Sequence, residues 1–352
     1  MAYGQQKGDG MTKFFGKTCV INRSMIAAFL TILVTSGSVS IWLVQSRLVR
    51  NAFTIGTIKD SSTVTVHFID VGQGDSILID ALNKDVLIDG GPTSAGPTVL
   101  NYLGSAGVTH VQLMIATHVH EDHIGGLVAV LSSATIVDEV IMNGQTSTSN
   151  VYTNFMNLAQ SHTVTVAERG RTYILTQTAN LTVLNPVQPL EFAQANDNSV
   201  VVRLQVGSTS FLFTGDAEAD AEQSMLNAGL NLRSNVLKVG HHGSRTATTQ
   251  AFLNSVAPSY AVISAGKNNP YGHPHAETIQ KLLAKGVTIY GTFQSGTIVA
   301  STDGTSITFQ DSPQPIPEFE PAIFLSIFMT ATLVAVITHR RNTPSRADGL
   351  EV

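Results

Sequence analysis

The sequence predicts an α/β protein in which two packed β-sheets carry helices on their outer faces, flanked by N- and C-terminal hydrophobic helices. Three observations carry this expectation. A run of short, alternating β-branched segments opens the middle of the chain, and strand-like and helix-like patterns alternate after it. A charge-free apolar segment lies on either side of that middle. The 352 residues suffice for one large domain with flanking segments.

The chain opens on a basic tail, residues 1–23, with Lys7, Lys13, Lys17 and Arg23. Residues 24–45 contain the stretch MIAAFLTILVTSGSVSIWLV, which has no charged residue and reaches the roughly 20 residues a helix needs to cross a bilayer. Positive charge before it places the N-terminus in the cytoplasm and the downstream chain outside; Arg47 and Arg50 dilute that bias without reversing it. A retained anchor and a cleaved signal peptide both fit.

The globular domain is expected at 62–310. Strands are predicted at 63–70, 76–80 and 86–89, then a helix at 98–106 and a strand at 111–116 apolar enough to be buried on both faces. Further strands fit 137–142, 163–166, 181–184, 199–206, 210–213, 236–239, 260–264, 287–290 and 297–302. Helical patterns fit 124–131, 151–160, 218–227, 248–255 and 276–284. A proline-rich spacer comes next at 311–320. The second apolar segment, 321–338, precedes a basic tail at 339–352 that begins His339-Arg340-Arg341. That arrangement favours membrane insertion over a buried core helix, and puts the domain on the outer side.

Composition narrows the partners. A net charge of −5 argues against a protein that grips duplex nucleic acid by its backbone. The single cysteine, Cys19, excludes both a disulfide framework and a Cys-rich zinc site.

The strongest chemical signal is Thr117-His118-Val119-His120-Glu121-Asp122-His123, between a buried-type strand and a helix that opens Ile124-Gly125-Gly126. Imidazole suits zinc, and carboxylate widens the range towards manganese or iron. No packing requirement calls for three histidines and an aspartate within residues 118–123. Other strand ends supply more donors. Phe211-Leu212-Phe213-Thr214-Gly215-Asp216 places a carboxylate at a sheet edge, where it can bridge two metals. Val236-Leu237-Lys238-Val239-Gly240-His241-His242-Gly243-Ser244 ends an apolar strand in two histidines, and Asn269-Pro270-Tyr271-Gly272-His273-Pro274-His275 offers another imidazole in a loop.

The order DVGQGDS (residues 70–76), LIDGG (87–91), THVHEDHIGG (117–126), DNSVVVRL (197–204), FLFTGD (211–216), VLKVGHHGS (236–244) and YGHPH (271–275) resembles the metallo-β-lactamase-fold domain of ComEC-like competence proteins. The resemblance covers the whole middle of the chain. It implies a four-layer αββα sandwich and two divalent metal ions, Zn or Mn. It also implies ligands at His118, His120, Asp122, His123, Asp216 and His242, with His241 as the alternative to His242. Supporting roles would fall to Asp70, Gln73, Asp75, Asp89 and Ser244, which hold ligands in orientation. Asp122 would also orient the nucleophile, and His273 would stabilise the transition state or donate a proton. The chain departs from the branch in two places: His120 stands where the branch commonly has Asp, and Thr292-Phe293-Gln294 replaces a Thr-Asp pair. A gap that it shares with the branch is that no histidine closes a strand between the main motif and Asp216. His162 reads as structural there, as do His67 and His110.

Near the C-terminus, Pro317-Glu318-Phe319 ahead of an apolar stretch and Arg340-Arg341 resembles the PEF-CTERM sorting signal of archaeal surface proteins, which implies processing by an archaeosortase. The expected function is a metal-dependent hydrolase at the cell membrane or surface, its catalytic domain extracellular. Metal-activated water would attack a phosphodiester, with nucleic acid the leading substrate. Cell-surface phosphoesters come next and β-lactams last. The alternative class is a catalytically silent surface-binding protein that keeps the fold. ComEC proteins carry many channel-forming helices; with two apolar segments, this chain is expected to act as a stand-alone surface enzyme. No protein partner is predicted.

Overall fold

The computed structural model describes residues 63–310, Asn83 excepted. The predicted basic tails, N-terminal apolar segment, proline-rich spacer and C-terminal apolar segment lie outside the described residues. Among those described, no helix is long and apolar enough to cross a membrane.

Among the described residues, fifteen strands form two mixed sheets. The first sheet is built from β1 (Val64–Phe68), β2 (Ile77–Asp80), β3 (Val86–Ile88), β4 (His110–Ala116), β5 (Ile136–Met142), β6 (Thr163–Val166), β14 (Ile298–Thr302) and β15 (Ile307–Phe309), in the order β15-β14-β1-β2-β3-β4-β5-β6. The second uses β7 (Thr172–Ile174), β8 (Ala179–Asn185), β9 (Val201–Val206), β10 (Thr209–Phe213), β11 (Val236–Lys238), β12 (Tyr260–Ile263) and β13 (Thr288–Gly291), in the order β13-β12-β11-β10-β9-β8-β7. In both sheets an antiparallel part joins a parallel one. The strands β3 to β6 run parallel, and so do β10 to β13.

Three apolar layers separate four layers of structure. Phe68, Ile115, Phe211 and Phe213 fill the space between the sheets. Helices α1 (Gly96–Ser105), α2 (Glu121–Leu131) and α3 (Asn150–Ala159) pack on the first sheet through Val99, Leu127 and Phe155. Helices α4 (Ala219–Asn227), α5 (Gln250–Val256) and α6 (Ala276–Ala284) cover the second through Met225, Phe252 and Leu282. Parallel strands are covered on both faces, which explains why 111–116 is apolar almost throughout. Phe68, Phe211, Phe213 and Phe252 are fully buried, each contributing about 1.5–3 kcal/mol relative to exposure. The αββα expectation holds.

Differences from the predicted elements fall at ends and edges. The helix expected from residue 124 starts at Glu121, so Asp122 and His123 lie in its first turn. Strand β9 starts at Val201 rather than 199, because residues 196–198 form a 3-10 turn. The helix expected at 248–255 runs Gln250–Val256, with Thr248 at φ 53° ahead of the Thr249 N-cap. Strands β7 and β15 and the one-turn helix α7 (Thr292–Ser295) carry no sequence signal. Both strands are three-residue sheet edges, too short and too exposed to show an apolar period.

The second turn of α2 presses on the loop after β3. A Cβ on Gly126 would lie 1.9 Å from the carbonyl oxygen of Gly90, so only glycine permits this approach. The contact fixes the height at which α2 presents Asp122 and His123.

Candidate metal centre

Strand ends and one helix start meet at one end of the sandwich. The segment after β4 carries His118; His120 is the N-cap of α2, with extended backbone and no capping hydrogen bond from its side chain. Asp216 lies just past β10, and His241 and His242 just past β11. His241 (φ 47°) and His242 (φ 55°) both take the left-handed conformation, which costs on the order of 1–3 kcal/mol for each non-glycine residue. The surrounding loop holds that strain and turns two successive imidazoles into the same space.

Asp216 is the hub. Its Oδ2 lies 3.2 Å from His123 Nε2, 3.5 Å from His242 Nε2, 3.7 Å from His241 Nε2 and 4.0 Å from His118 Nε2. Asp122 Oδ2 stands 3.3 Å from His242 Nε2 and 4.0 Å from His123 Nε2. On the other side, His118 Nε2 is 2.9 Å from His120 Nδ1. One carboxylate therefore sits between a His118–His120 pair with His241 and an Asp122–His123–His242 group. Donor atoms of Asp122, His123, Asp216 and His242 all lie within 4.8 Å of one another.

A divalent ion fits this donor set. His123 Nε2, His242 Nε2 and Asp216 Oδ1 are buried and make no hydrogen bond. Buried polar atoms without partners are uncommon, and converging nitrogen and carboxylate lone pairs are what a metal takes up. Nothing in the arrangement selects one metal over another.

Neighbouring groups set each imidazole. Asp89, fully buried, accepts from Thr117 N at 2.8 Å and Thr117 Oγ1 at 2.7 Å, and its Oδ2 is 2.7 Å from His123 Nδ1. With Nδ1 donating there, Nε2 is left to face the hub. His242 Nδ1 donates to the Ser264 carbonyl at 3.0 Å, again freeing Nε2. Asp75, paired with the buried Lys238, stands 3.5 Å from His242 Nδ1. His241 Nδ1 is 2.6 Å from Glu218 Oε1, which also accepts from Asn196. Asp89→Asn, which keeps the shape and loses the charge, should lower metal affinity about 10–100-fold, read by titration with a chromophoric chelator.

Charge and burial compete throughout. Burial opposes a charge on His123 and His242, yet Asp216 with Asp89 and Asp122 for the first, and Asp216 with Asp122 and Asp75 for the second, hold both well above the usual imidazole range. Burial likewise opposes the Asp216 carboxylate, but His123 and His242 keep it well below the usual range. Burial, then His123, pushes His118 well down, and His120 is lowered for the same reasons. The carboxylates thus demand positive charge, which an ion supplies in place of protons on His123 and His242. His273, pushed down to about 4 by burial and by His241, His242 and His275, is a neutral imidazole at neutral pH.

Above the hub opens a cavity of about 390 Å³, lined by Gln73, His120, Asp122, Asp216, Tyr271 and His273 among others. Gln73 accepts from Gly266 N at 3.1 Å and approaches His273 Nδ1 at 3.5 Å. Of the predicted site residues, the hub gathers His118, His120, Asp122, His123, Asp216, His241 and His242. Asp75 and Asp89 lie directly behind it. Gln73 and His273 lie on the cavity wall. Two stand apart. Asp70 accepts from Gly72 N within its own turn, at 3.1 Å. Ser244 is 2.8 Å from Thr246 Oγ1, and its carbonyl accepts from Thr278 Oγ1. Outside the site, His162 Nδ1 donates to the Val137 carbonyl, and His110 pairs with Asp138.

Lys238, Glu218, Ser264, Asn196 and Ser199, whose Oγ is 3.4 Å from His118 Nδ1 and accepts from Asp216 N at 3.3 Å, did not stand out in the sequence as site residues. Lys238 was detectable as a lone charge in the apolar run Val236–Val239 and Ser199 as part of DNSVVVRL, while Glu218, Ser264 and Asn196 are polar residues outside any motif.

Residues 69–267, more than half of the chain, match the family model of the Metallo-beta-lactamase superfamily. The chain is 35% identical over 257 residues to ComE operon protein 3 of Bacillus subtilis (strain 168), covering 68% of this chain and 33% of that protein. It is 30% identical over 244 residues to Competence protein ComA of Neisseria gonorrhoeae, covering 68% and 32%. It spans about one third of the length of these curated relatives. Among solved structures, the metallo-beta-lactamase fold protein YhfI from Bacillus subtilis is similar at a TM-score of 0.46 and 12% identity, over 68% of this chain and 100% of that one. On the family match and the fold, this chain belongs to the metallo-beta-lactamase superfamily, whose members are usually metal-dependent hydrolases.

Proposed function

We propose that this chain is a two-metal phosphodiesterase of nuclease type. The observation that carries the reading is the Asp216 carboxylate between two sets of donors, at the floor of an open cavity of about 390 Å³. His118, His120 and His241 with Asp216 would hold one ion, and Asp122, His123 and His242 with Asp216 the other. When bound, divalent ions supply Lewis acidity towards a phosphoryl oxygen and lower the pKa of water. The chain's residues do the rest. Asp89 and the Ser264 carbonyl keep His123 and His242 in one tautomer. Gln73 and His273 line the wall where the leaving side of a substrate would lie, and His273, neutral, hydrogen-bonds there without adding charge. Likeness to a protein named for competence supports nucleic acid over other phosphodiesters.

In this reading the enzyme lies outside the cell, beside a membrane. Its support is the basic residues Lys7 to Arg23 ahead of one apolar segment and Arg340-Arg341 after the other. The Pro317-Glu318-Phe319 segment would make the C-terminus an archaeosortase substrate.

The test is a substrate panel on the purified full chain: bis-(p-nitrophenyl) phosphate, single-stranded DNA and a β-lactam, each with chelator and with Zn or Mn restored. Chelator-sensitive cleavage of the two phosphodiesters is expected, with the lactam untouched. Full metal content and full activity in a His120→Ala, Asp122→Ala double variant would sink the assignment.

A further inference from the structure

Tyr271 is the exposed aromatic beside the cavity. It is 63% exposed, the highest exposure among the large hydrophobic side chains of the described residues. Such a ring is commonly mobile surface, but the backbone that carries this one is held. Asn269 Oδ1 accepts from Tyr271 N at 3.1 Å and His273 N at 3.0 Å, while Asn269 Nδ2 donates to the carbonyls of Gly266 and His273. The Tyr271 ring lies nearly parallel to that of His273, with centroids 5.7 Å apart and planes at 25°. His273 in turn stands edge-on to His241, at 5.4 Å. A continuous aromatic surface therefore runs from the hub to the cavity rim and ends on an open π-face.

The same wall lacks cations: among the described residues no Lys or Arg lines the cavity, and Glu121 does. Phosphate contacts, the usual source of nucleic-acid affinity, are therefore scarce outside the metal site. Stacking is the remaining source, worth about 1–3 kcal/mol per base and open only to an unpaired base.

We infer that Tyr271 is the platform on which the base next to the scissile phosphodiester stacks, so that the site selects unpaired, base-bearing strands over base-free or duplex phosphodiesters. This rests on the phosphodiesterase reading above. Tyr271 acts in binding and specificity, and takes no part in bond breaking.

The test measures binding apart from turnover. Fluorescence anisotropy would follow the metal-loaded full chain with two phosphorothioate-linked, hydrolysis-resistant strands of about 12 nucleotides, one oligo-dT and one fully abasic. Wild type should bind the oligo-dT strand about 10-fold or more tightly than the abasic one, a ratio expected from one stacked base. Tyr271→Ala and Tyr271→Leu should bring that ratio close to one, while Tyr271→Phe keeps it. An unchanged ratio in Tyr271→Ala, or no base preference in wild type, overturns the inference even if phosphodiesters are cleaved. Tyr271-dependent binding without cleavage of any phosphodiester leaves the platform standing and removes the reading it rests on.

Discussion

Asp216→Ala should cost the centre its shared carboxylate, and on the proposed two-metal reading metal content measured by plasma mass spectrometry should fall from two ions per chain to below one. Asp216 Oδ2 faces the Nε2 atoms of His118, His123, His241 and His242 at 3.2–4.0 Å, so no other side chain can stand in for it. The phosphodiester hydrolysis proposed for the chain should drop on the order of 10³-fold, because about 4 kcal/mol of transition-state stabilisation would go with the metals. Asp216→Asn separates charge from shape. The amide still reaches the histidines but brings a neutral donor where an anion was, so it should fail almost as badly. Retention of two ions and near-normal rates in either variant would refute the hub.

Lys238→Met should be the most destabilising single change near the site. Lys238 and Asp75 are both buried and ion-paired, and Lys238 also donates to the Gly215 carbonyl at 3.2 Å. Lys238 holds the Asp75 carboxyl below the usual range against the opposing pull of burial. Removing the cation leaves a buried, uncompensated charge, a loss of about 3–5 kcal/mol in urea unfolding. Adding Asp75→Asn to Lys238→Met should recover most of that loss, since the pair is costly to split but not to neutralise. Additive losses in the double variant would show that the two groups do not act as a pair. Asp75 also stands 3.5 Å from His242 Nδ1, so the single variant should weaken metal binding as well.

Much of this centre was legible in the chain because strand ends write it in short runs. His118, His120, Asp122 and His123 occupy one strand-to-helix turn, and Asp216, His241 and His242 each close an apolar strand. Residues behind the donor cluster were harder to place. Asp70 and Asp75 belong to one motif, yet Asp75 reaches Lys238 and His242 while Asp70 caps its own turn. Ser244 shares a motif with His242 but bonds to Thr246 and Thr278, away from the cavity. Spacing along the motif does not report which side of a tight turn a side chain leaves.

Local pattern alone determined the class of this protein: buried parallel strands need unbroken apolar runs, half-buried ones need alternation, and converging imidazoles need a turn to carry them. Tertiary structure decided how those pieces act together. Only the packing of β11 beside β10 brings His241 and His242 to Asp216, and only the closure of α2 on Gly90 sets Asp122 and His123 beneath them. The pairings that tune the site join residues far apart in sequence, Asp75 with Lys238 and Asp89 with His123. Their strength depends on burial and distance, which exist only once the two sheets have packed.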